Sequence, residues 1–351
     1  MALGDTAAIT GLLADALPYA LNKEALNIMA VANPTLFAFL GEPLQPLGRK
    51  PNMPESMPDM PGFRNLSYDF SGTQFEYRLL GQVDEPVFTP YLDPSGGYAA
   101  ANWSYQEKRF NAKGNFARLI LPYSFDPVKL DLISGDRAKA KSFVSEEKVA
   151  VSQGWAQKLG REIHGSSDQT DQSISGWQLA LGGATGTYLG IDMSDAANVN
   201  FAAQSYNVNG NLQFKHFDYI LNEAYDKGGM PDYAAFGKTD YGYMCQVLAG
   251  KFVPTDNDSP WREFKGRYKK FDGVRFGLDG YMTSVVTAGT VPFFDTRYIS
   301  VFMRNKGFGM GDMMRLPQYM AVNGTFFDMY FAVVYQSPKT CVRAYGITGA
   351  A

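Results

Sequence analysis

The chain has few of the residues on which enzymes and metal proteins most often depend. It contains two cysteines and two histidines among 351 residues. Cys245 and Cys341 are far apart and form no CxxC pair, so neither a disulfide framework nor a structural zinc site is expected. His164 and His216 cannot build a three-ligand metal site without carboxylates, and no HExxH motif occurs. We therefore expect no metal, no cofactor and a reducing, cytoplasmic folding compartment.

Sequence signatures of catalysis are also lacking. No GxSxG elbow, GxxxxGK loop or complete GxGxxG fingerprint is present, and the glycine-rich segment 307–311 breaks at Asp312, where a dinucleotide fingerprint needs its last glycine. Any two of the 35 acidic residues can meet in the fold, so a carboxylate pair stays open. No sequence feature supports an enzyme, and we expect none.

The chain also lacks a basic excess and long apolar runs. Its net charge is -3, with an isoelectric point near 5.5. This balance argues against a sequence-reading DNA binder, but not against a container that encloses DNA. No basic residue precedes Lys23, so a signal peptide is not expected, and the apolar run Met329–Tyr335 is too short to cross a bilayer.

Hydrophobic residues, at 45%, and aromatic residues, at 14%, are abundant enough for a sizeable globular core. Apolar residues at helical spacing predict an N-terminal helix over Ala8–Met29. Seven prolines between Pro34 and Pro61 then predict an extended segment. This segment is either a flexible linker or an arm laid across adjacent subunits.

Two alternating segments follow, Thr73–Leu80 and Asn102–Leu121, and turn residues occupy Asp93–Gly97 between them. They predict a long two-stranded hairpin. An isolated hairpin is only marginally stable in water, so this one is expected to lie on something else.

A long helix is predicted from about Arg137 to His164, after a helix start at Asp126. Its apolar stripe has four-residue spacing and consists of Val151, Trp155, Leu159 and Ile163. Gly154 and Gly160 lower helix propensity and are expected to permit bending. His164 lies at the helix end, where a cation favours the helix dipole, and a structural role is expected.

The remainder alternates between helix and strand patterns. A glycine-punctuated apolar strand is predicted within Gly176–Asp192, and Asn207–Asn211 is predicted to be a loop. Helices are predicted over Phe217–Ala224 and Tyr241–Leu248. Further strands are predicted over Gly273–Phe276, Tyr281–Ala288, Tyr298–Met303, Phe326–Gln336 and Thr340–Ile347.

The order of these features resembles the major capsid proteins of tailed bacteriophages, which share the Hong Kong 97 fold. GWQLALGGATGTYLGID at 176–192 resembles the passage between that family's spine helix and its axial domain. GGMPD at 228–232 resembles a G-G-x-P-D turn, and segment 271–294 is similar to the strands before a P-x-G-T step. Segment 338–349 resembles the closing P-R-x-x-G-x-I-x-G strand, so the resemblance spans about 66–349.

The resemblance implies an α+β, Hong Kong 97-like fold in five parts. These are an N-terminal helix and extended arm (1–65), an extended β-hairpin loop (66–125), a spine helix with the peripheral domain (126–200), an axial domain (201–310), and C-terminal strands returning to the peripheral domain (311–351).

It also implies a major capsid protein whose pentamers and hexamers form an icosahedral shell around double-stranded DNA, located in the virion after assembly in the host cytoplasm. Portal, decoration and separate scaffolding proteins are the partners of such a shell, and no membrane is involved. An encapsulin-like compartment shell stays open as an alternative. A receptor- or carbohydrate-binding virion protein is less favoured, because only four tryptophans occur.

The candidate intersubunit residues lie on the predicted hairpin and are Arg78, Glu107, Lys108 and Arg109. We expect them to pair with neighbouring subunits, although ordinary exposed strand charges, worth under about 1 kcal/mol per pair, are the alternative. Some members of the family cross-link a loop lysine to a neighbour's asparagine. Lys108, Lys113 and Asn323 are of the corresponding types, but solvated surface positions are the favoured interpretation.

Overall fold

The computed structural model describes residue 26 and residues 28–41, 63–70, 73–80, 109–125, 137–195, 198, 201–251, 268–310, 314–315 and 323–351. Of the predicted N-terminal helix Ala8–Met29, only residues 26, 28 and 29 are among these, and they are helical. Most of the proline-rich segment, the hairpin turn Asp93–Gly97 and the helix start at Asp126 lie outside the described residues.

Helices and strands alternate along the described chain. The α-helices that follow helical residues 28–32 are α1 (Pro34–Leu40), α2 (Arg137–Ile163), α3 (Trp177–Ala180), α4 (Phe214–Tyr225), α5 (Lys238–Val247) and α6 (Gly280–Val285). Two 3-10 turns cover Thr296–Tyr298 and Pro338–Thr340.

The strands before α4 are β1 (Leu66–Phe70), β2 (Gln74–Leu80), β3 (Arg109–Asn115), β4 (Ala117–Phe125), β5 (Thr187–Tyr188), β6 (Ile191–Asp192) and β7 (Gln204–Leu212). Those after α4 are β8 (Tyr233–Phe236), β9 (Tyr268–Phe271), β10 (Val274–Leu278), β11 (Val291–Phe294), β12 (Ile299–Met310), β13 (Met314–Arg315), β14 (Asn323–Tyr335) and β15 (Val342–Ala350).

The first sheet is organised around the long strand β14, which pairs antiparallel with β12 on one side and with β4 on the other. Strand β1 extends the sheet by pairing parallel to β12. In β14, Phe327, Met329 and Phe331 are buried while the intervening side chains are half-buried, which is the period-two pattern of a sheet with one covered face. Leu121 of β4 is in register with Phe327, and its methyl groups face Gly154 of α2. Helix α2 therefore covers this face.

The long helix was predicted correctly. It runs from Arg137 to Ile163, and the four stripe residues Val151, Trp155, Leu159 and Ile163 are all buried in one core together with the first sheet and α1. Gly160 allows close packing: a Cβ atom there would lie 2.4 Å from Cδ2 of Tyr281 and 2.7 Å from Nδ2 of Asn33. The glycine thus lets α6 and the residue preceding α1 approach the helix backbone.

The second sheet has the order β7-β15-β11-β8-β10-β9. Strands β7 and β8 pair parallel to β15 and β10 respectively, and the other neighbours are antiparallel. Phe217 of α4 and Met244 of α5 share its core with Phe236, Phe276 and Phe293 of the strands. The predicted helices Phe217–Ala224 and Tyr241–Leu248 are confirmed as α4 and α5, each starting three residues earlier.

The start of the proline-rich segment is not extended as predicted, because Pro34–Leu40 is a fully buried helix. Asn33 caps it by accepting a hydrogen bond from the Leu36 amide at 2.9 Å, and Gly41 ends it with φ +77°. Pro34 is at the first helical position, where a proline leaves no hydrogen bond unmade. The high number of prolines therefore did not prevent a helix here, because Pro34 occupies the first helical position.

Three other element predictions were wrong. Segment 176–192 contains the short helix α3 and a two-residue ribbon of β5 and β6 rather than an apolar strand. Tyr281–Ala288 begins as helix α6, because Asp279 caps the Tyr281 amide. Asn207–Asn211 lies inside β7, whose pairing with β15 shifts register near Asn209, a residue with φ +51°. An edge strand with exposed positions tolerates such a bulge.

Candidate assembly surfaces

The predicted hairpin is present as an antiparallel ribbon of β2 and β3, in register from Gln74 with Asn115 to Leu80 with Arg109. Its second strand is shorter than predicted, because the chain leaves the ribbon at Phe116 and enters the first sheet as β4. Arg78 is in register with Asn111, and Arg109 is in register with Leu80, so both candidate arginines belong to the paired part of the ribbon. Glu107 and Lys108 lie outside the described residues.

The described side chains at the base of the ribbon differ between its two faces. The cross-strand neighbours Glu76 and Lys113 are exposed. Phe75 and Ala112, at alternate positions, are buried. The base of the ribbon therefore has one exposed face and one buried face.

The base of the ribbon is anchored in the first core. The buried Phe75 ring lies 5.5 Å from the Phe116 ring and 6.0 Å from the Phe302 ring, measured between centroids. Gly114 makes this packing possible, because a Cβ atom there would lie 2.6 Å from Cζ of Phe75. Buried Gln169 adds a polar anchor by donating to the Asn115 carbonyl at 3.0 Å. The ribbon consequently leaves the protein from a rigid base.

A buried polar cluster, which we call the joint, connects α1 and α2, which pack on the first sheet, to β8 of the second sheet and to the start of α6. His164 follows α2, and its Nε2 lies 3.0 Å from Oδ2 of Asp279 in a bent contact. Asp279 is fully buried and accepts hydrogen bonds from the Thr35 hydroxyl at 2.6 Å and from the Tyr281 amide at 2.9 Å. Because the Thr35 proton points to Asp279, the Tyr233 hydroxyl is the donor in its 3.3 Å contact with Thr35. Three chain segments thus meet at one carboxylate, and Tyr233 is linked to it through Thr35.

His164 links Trp177 to Asp279. The Trp177 indole N–H donates to Nδ1 of His164 at 2.9 Å, and indole can only donate. Nδ1 therefore accepts this hydrogen bond, and the other ring nitrogen, Nε2, faces Asp279. Burial raises the pKa of Asp279, but the contacts with His164, Thr35 and the Tyr281 amide outweigh burial and hold it below its ordinary value. His164 is structural as predicted, through hydrogen bonds rather than through the helix dipole.

A small basic pocket lies where α1, β1, β8 and β10 meet. It has a volume of about 150 Å³ and is lined by Arg64, Arg275, Arg297, Asp232 and Thr296, among others. Asp232 accepts hydrogen bonds from both the amide and the hydroxyl of Thr296, at 2.8 and 2.7 Å. Burial raises the pKa of Asp232, although these hydrogen bonds oppose the shift. No sequence motif predicted this pocket, because its residues are spread over more than 200 positions.

Two exposed side chains, Met230 and Tyr298, flank Arg297 at the edge of this pocket. Asp295, which is fully buried, accepts hydrogen bonds from Nε and Nη2 of Arg297 at 2.8 and 2.6 Å and from the Met230 amide at 2.9 Å. Nη1 of Arg297 contacts the Met230 sulfur at 3.8 Å, and its guanidinium lies 5.6 Å from the Tyr298 ring centroid. Met230 and Tyr298 are nevertheless 59% and 37% exposed. Such side chains are enriched at protein interfaces.

The described residues show neither a metal-binding cluster nor an activated thiol. They contain no group of three or more His, Cys, Asp or Glu residues that could hold a metal ion. Burial raises the pKa of Cys341 to about 12 and also raises that of Cys245, so neither thiol is activated. His216 completes a capping box with Gln213 at the start of α4. In the part of the chain that is described, no helix is both long enough and apolar enough to span a membrane.

Comparison with known proteins identifies the fold. No protein-family model matches the sequence, and no curated protein matches it significantly. Solved structures are similar, including the capsid asymmetric unit of cyanophage A-1(L) (TM-score 0.56, 12% identity, 79% of this chain and 88% of that chain). Others are the capsid of a native GTA particle (0.52, 10%, 81% and 88%) and a structure from Mycobacterium phage Bobi (0.50, 12%, 79% and 86%).

These similarities show that the chain has the α+β fold of tailed-phage major capsid proteins, the Hong Kong 97 fold. The fold prediction is therefore confirmed. The neighbours are structural capsid proteins rather than enzymes.

Proposed function

We propose that this chain is a major capsid protein that self-assembles into an icosahedral shell enclosing the double-stranded DNA genome of a tailed phage. The observation that carries the proposal is the fold, which is shared over 79–81% of this chain and 86–88% of the similar chains. Because that agreement covers about four fifths of this chain and more of the similar chains, it concerns most of the fold rather than one common motif. The shell would be assembled in the host cytoplasm and located in the virion.

The ribbon of β2 and β3 supports self-assembly. A two-stranded ribbon is only marginally stable by itself, so the ribbon is expected to be supported along its length. We propose that a neighbouring subunit supplies this support and that Arg78, Glu107, Lys108 and Arg109 pair with it. Lys108, Lys113 and Asn323 stay candidates for a cross-link, with surface positions favoured.

The five parts expected from the sequence form the working division of the subunit: 1–65 as arm, 66–125 as extended loop, 126–200 as spine helix and peripheral domain, 201–310 as axial domain, and 311–351 as returning strands. Scaffolding, portal and decoration proteins are proposed partners of the shell, and no catalytic step is proposed for this chain.

The first experiment is negative-stain electron microscopy and light scattering of the purified protein, expressed alone and with its genomic neighbours. Closed shells, tubes, or rings of five and six subunits are expected. A protein that stays strictly monomeric under both conditions would contradict the proposal. DNA in particles recovered from infected cells distinguishes a genome shell from an encapsulin-like compartment, whose particles hold cargo protein instead.

The role of the ribbon is tested by reversing two of its charges. Arg78→Glu with Arg109→Glu should reduce the yield of shells without lowering the thermal midpoint of the subunit. The control is Lys158→Glu on α2, where Lys158 makes only an exposed pair with Glu162. Equal shell yields for the ribbon variant and the control would remove these two residues from the proposed interface.

A further inference from the structure

The basic pocket between the two sheets has an unbalanced charge. Arg64, Arg275 and Arg297 line it together with Asp232, and Asp295 lies directly behind Arg297. Among the described residues, three guanidinium groups and two carboxylates leave one net positive charge, in a chain whose total charge is -3. Arg297 donates two hydrogen bonds to Asp295, and Arg275 interacts electrostatically with Asp232. Within the part of the chain that the structure describes, Arg64 has no ion-pair partner.

Hydrogen bonds within the subunit already hold the side chains of the pocket in place. Asp295 fixes both Met230 and Arg297, and Thr296 fixes Asp232. Asn65, beside Arg64, donates from Nδ2 to the carbonyls of Phe39 and Thr296 at 3.1 and 2.9 Å. A binding surface whose groups are already held in place loses little conformational entropy on association.

We propose that this pocket receives an acidic side chain from a second copy of the chain, with Met230 and Tyr298 forming the apolar rim of the contact. This inference rests on the proposed function, because the second copy is a neighbour in the shell. A volume of about 150 Å³ accommodates a carboxylate group, and guanidinium groups bind carboxylates through paired, charge-assisted hydrogen bonds. Arg64, which has no ion-pair partner among the described residues, supplies the positive charge.

A DNA phosphate fits the same pocket less well. Nucleic-acid affinity comes from several basic contacts spread along the backbone, whereas this site has one net charge and two carboxylates that repel a polyanion. Its rim of Met230 and Tyr298 has the composition of a protein interface.

The test compares three variants of the full chain in shell assembly. Arg64→Glu should raise the protein concentration needed for assembly at least tenfold, which corresponds to about 1.4 kcal/mol per subunit. Arg64→Lys should have an intermediate effect, because it keeps the charge and loses the planar fork. Lys227→Glu, the control, makes the same charge change at an exposed turn after α4 and should act less than twofold. All three thermal midpoints should stay within about 1 °C of the parent.

Electron cryo-microscopy of the parent shells then identifies the occupant. An Asp or Glu carboxylate of a neighbouring copy within about 3 Å of the Arg64 or Arg275 guanidinium would establish the contact. Exchanging that acid for arginine in the Arg64→Glu variant should restore assembly. A solvent-filled pocket, a phosphate found only in DNA-containing shells, or equal assembly of Arg64→Glu and Lys227→Glu would overturn the inference and leave the capsid proposal intact. A parent that forms no particles would instead reject the capsid proposal itself.

Discussion

Replacing His164 with alanine tests whether the joint holds the two sheets together. The substitution removes Nε2, which faces Asp279, and Nδ1, which accepts a hydrogen bond from Trp177. Both partners are fully buried, so water cannot replace the lost contacts without opening the core. Asp279 keeps its hydrogen bonds from Thr35 and the Tyr281 amide, so the buried carboxylate loses one of its partners and retains two.

The expected cost has two parts. A hydrogen bond to a buried charged group is worth about 1.5–3 kcal/mol, and an orphaned buried N–H costs about 1–3 kcal/mol. Together they predict a loss of about 4 kcal/mol in the free energy of unfolding. Unfolding entropy is about 2.1 cal/mol/K per residue, hence about 0.7 kcal/mol/K for this chain, if it unfolds as one unit. The thermal midpoint should therefore fall by about 5 °C.

The assay is differential scanning calorimetry of the purified protein, with urea midpoints as a second measure. The Asp279→Ala variant and the double variant complete a thermodynamic cycle. Because Asp279 and His164 act as a unit, the double variant should be little worse than either single one. Two results would refute the reasoning: a midpoint within 1 °C of the parent, or effects of the two substitutions that simply add.

Three further predictions concern packing, pH and surface charge. Gly160→Ala should lower the free energy of unfolding by about 1–3 kcal/mol despite better helix propensity, because the added Cβ would collide with Tyr281. The control Gly154→Ala should leave the free energy of unfolding unchanged or raise it by up to about 1 kcal/mol. Thermal midpoints of the two variants and the parent measure the difference. The pKa of Asp279 is lowered in the folded protein, so the ionised carboxylate should stabilise the parent relative to the Asp279→Asn variant. This stabilisation should be fully present above about pH 4 and lost as the pH falls further. Urea midpoints of both proteins from pH 6 to 2.5 measure the difference in stability, and a difference that does not change with pH would contradict the prediction. Arg118→Ala removes a partly exposed ion pair with Asp328 and should cost under about 1 kcal/mol; a midpoint shift above 3 °C would show a larger structural role.

Local patterns predicted the elements whose stability is locally encoded. The four-residue spacing from Val151 to Ile163 was sufficient to predict α2, because a helix with one buried stripe repeats at that interval. Alternation along β2 likewise predicted one strand of the ribbon. The prediction failed at Pro34–Leu40, where the capping groups at Asn33 and Gly41 outweighed the prolines. It also failed at Tyr281, where the Asp279 cap started a helix in a segment with β-branched residues.

The joint and the basic pocket were beyond prediction from the sequence for a different reason. Thr35, His164 and Asp279 are more than 100 residues apart from one another, and each has ordinary neighbours in the chain. Arg64, Asp232 and Arg297 are similarly dispersed. Only the crossing of α2 over the first sheet, and the pairing of β8 with β10 and β11, brings them together.

The sequence alone therefore determined the long helix, the ribbon and the absence of recognisable catalytic motifs, because these depend on residue type and short-range periodicity; the α+β fold was expected from the family resemblance. Tertiary structure decided which polar residues are buried together and which arginines converge, because burial and proximity depend on contacts between distant segments. Those contacts set the charge of the pocket and the partners of His164.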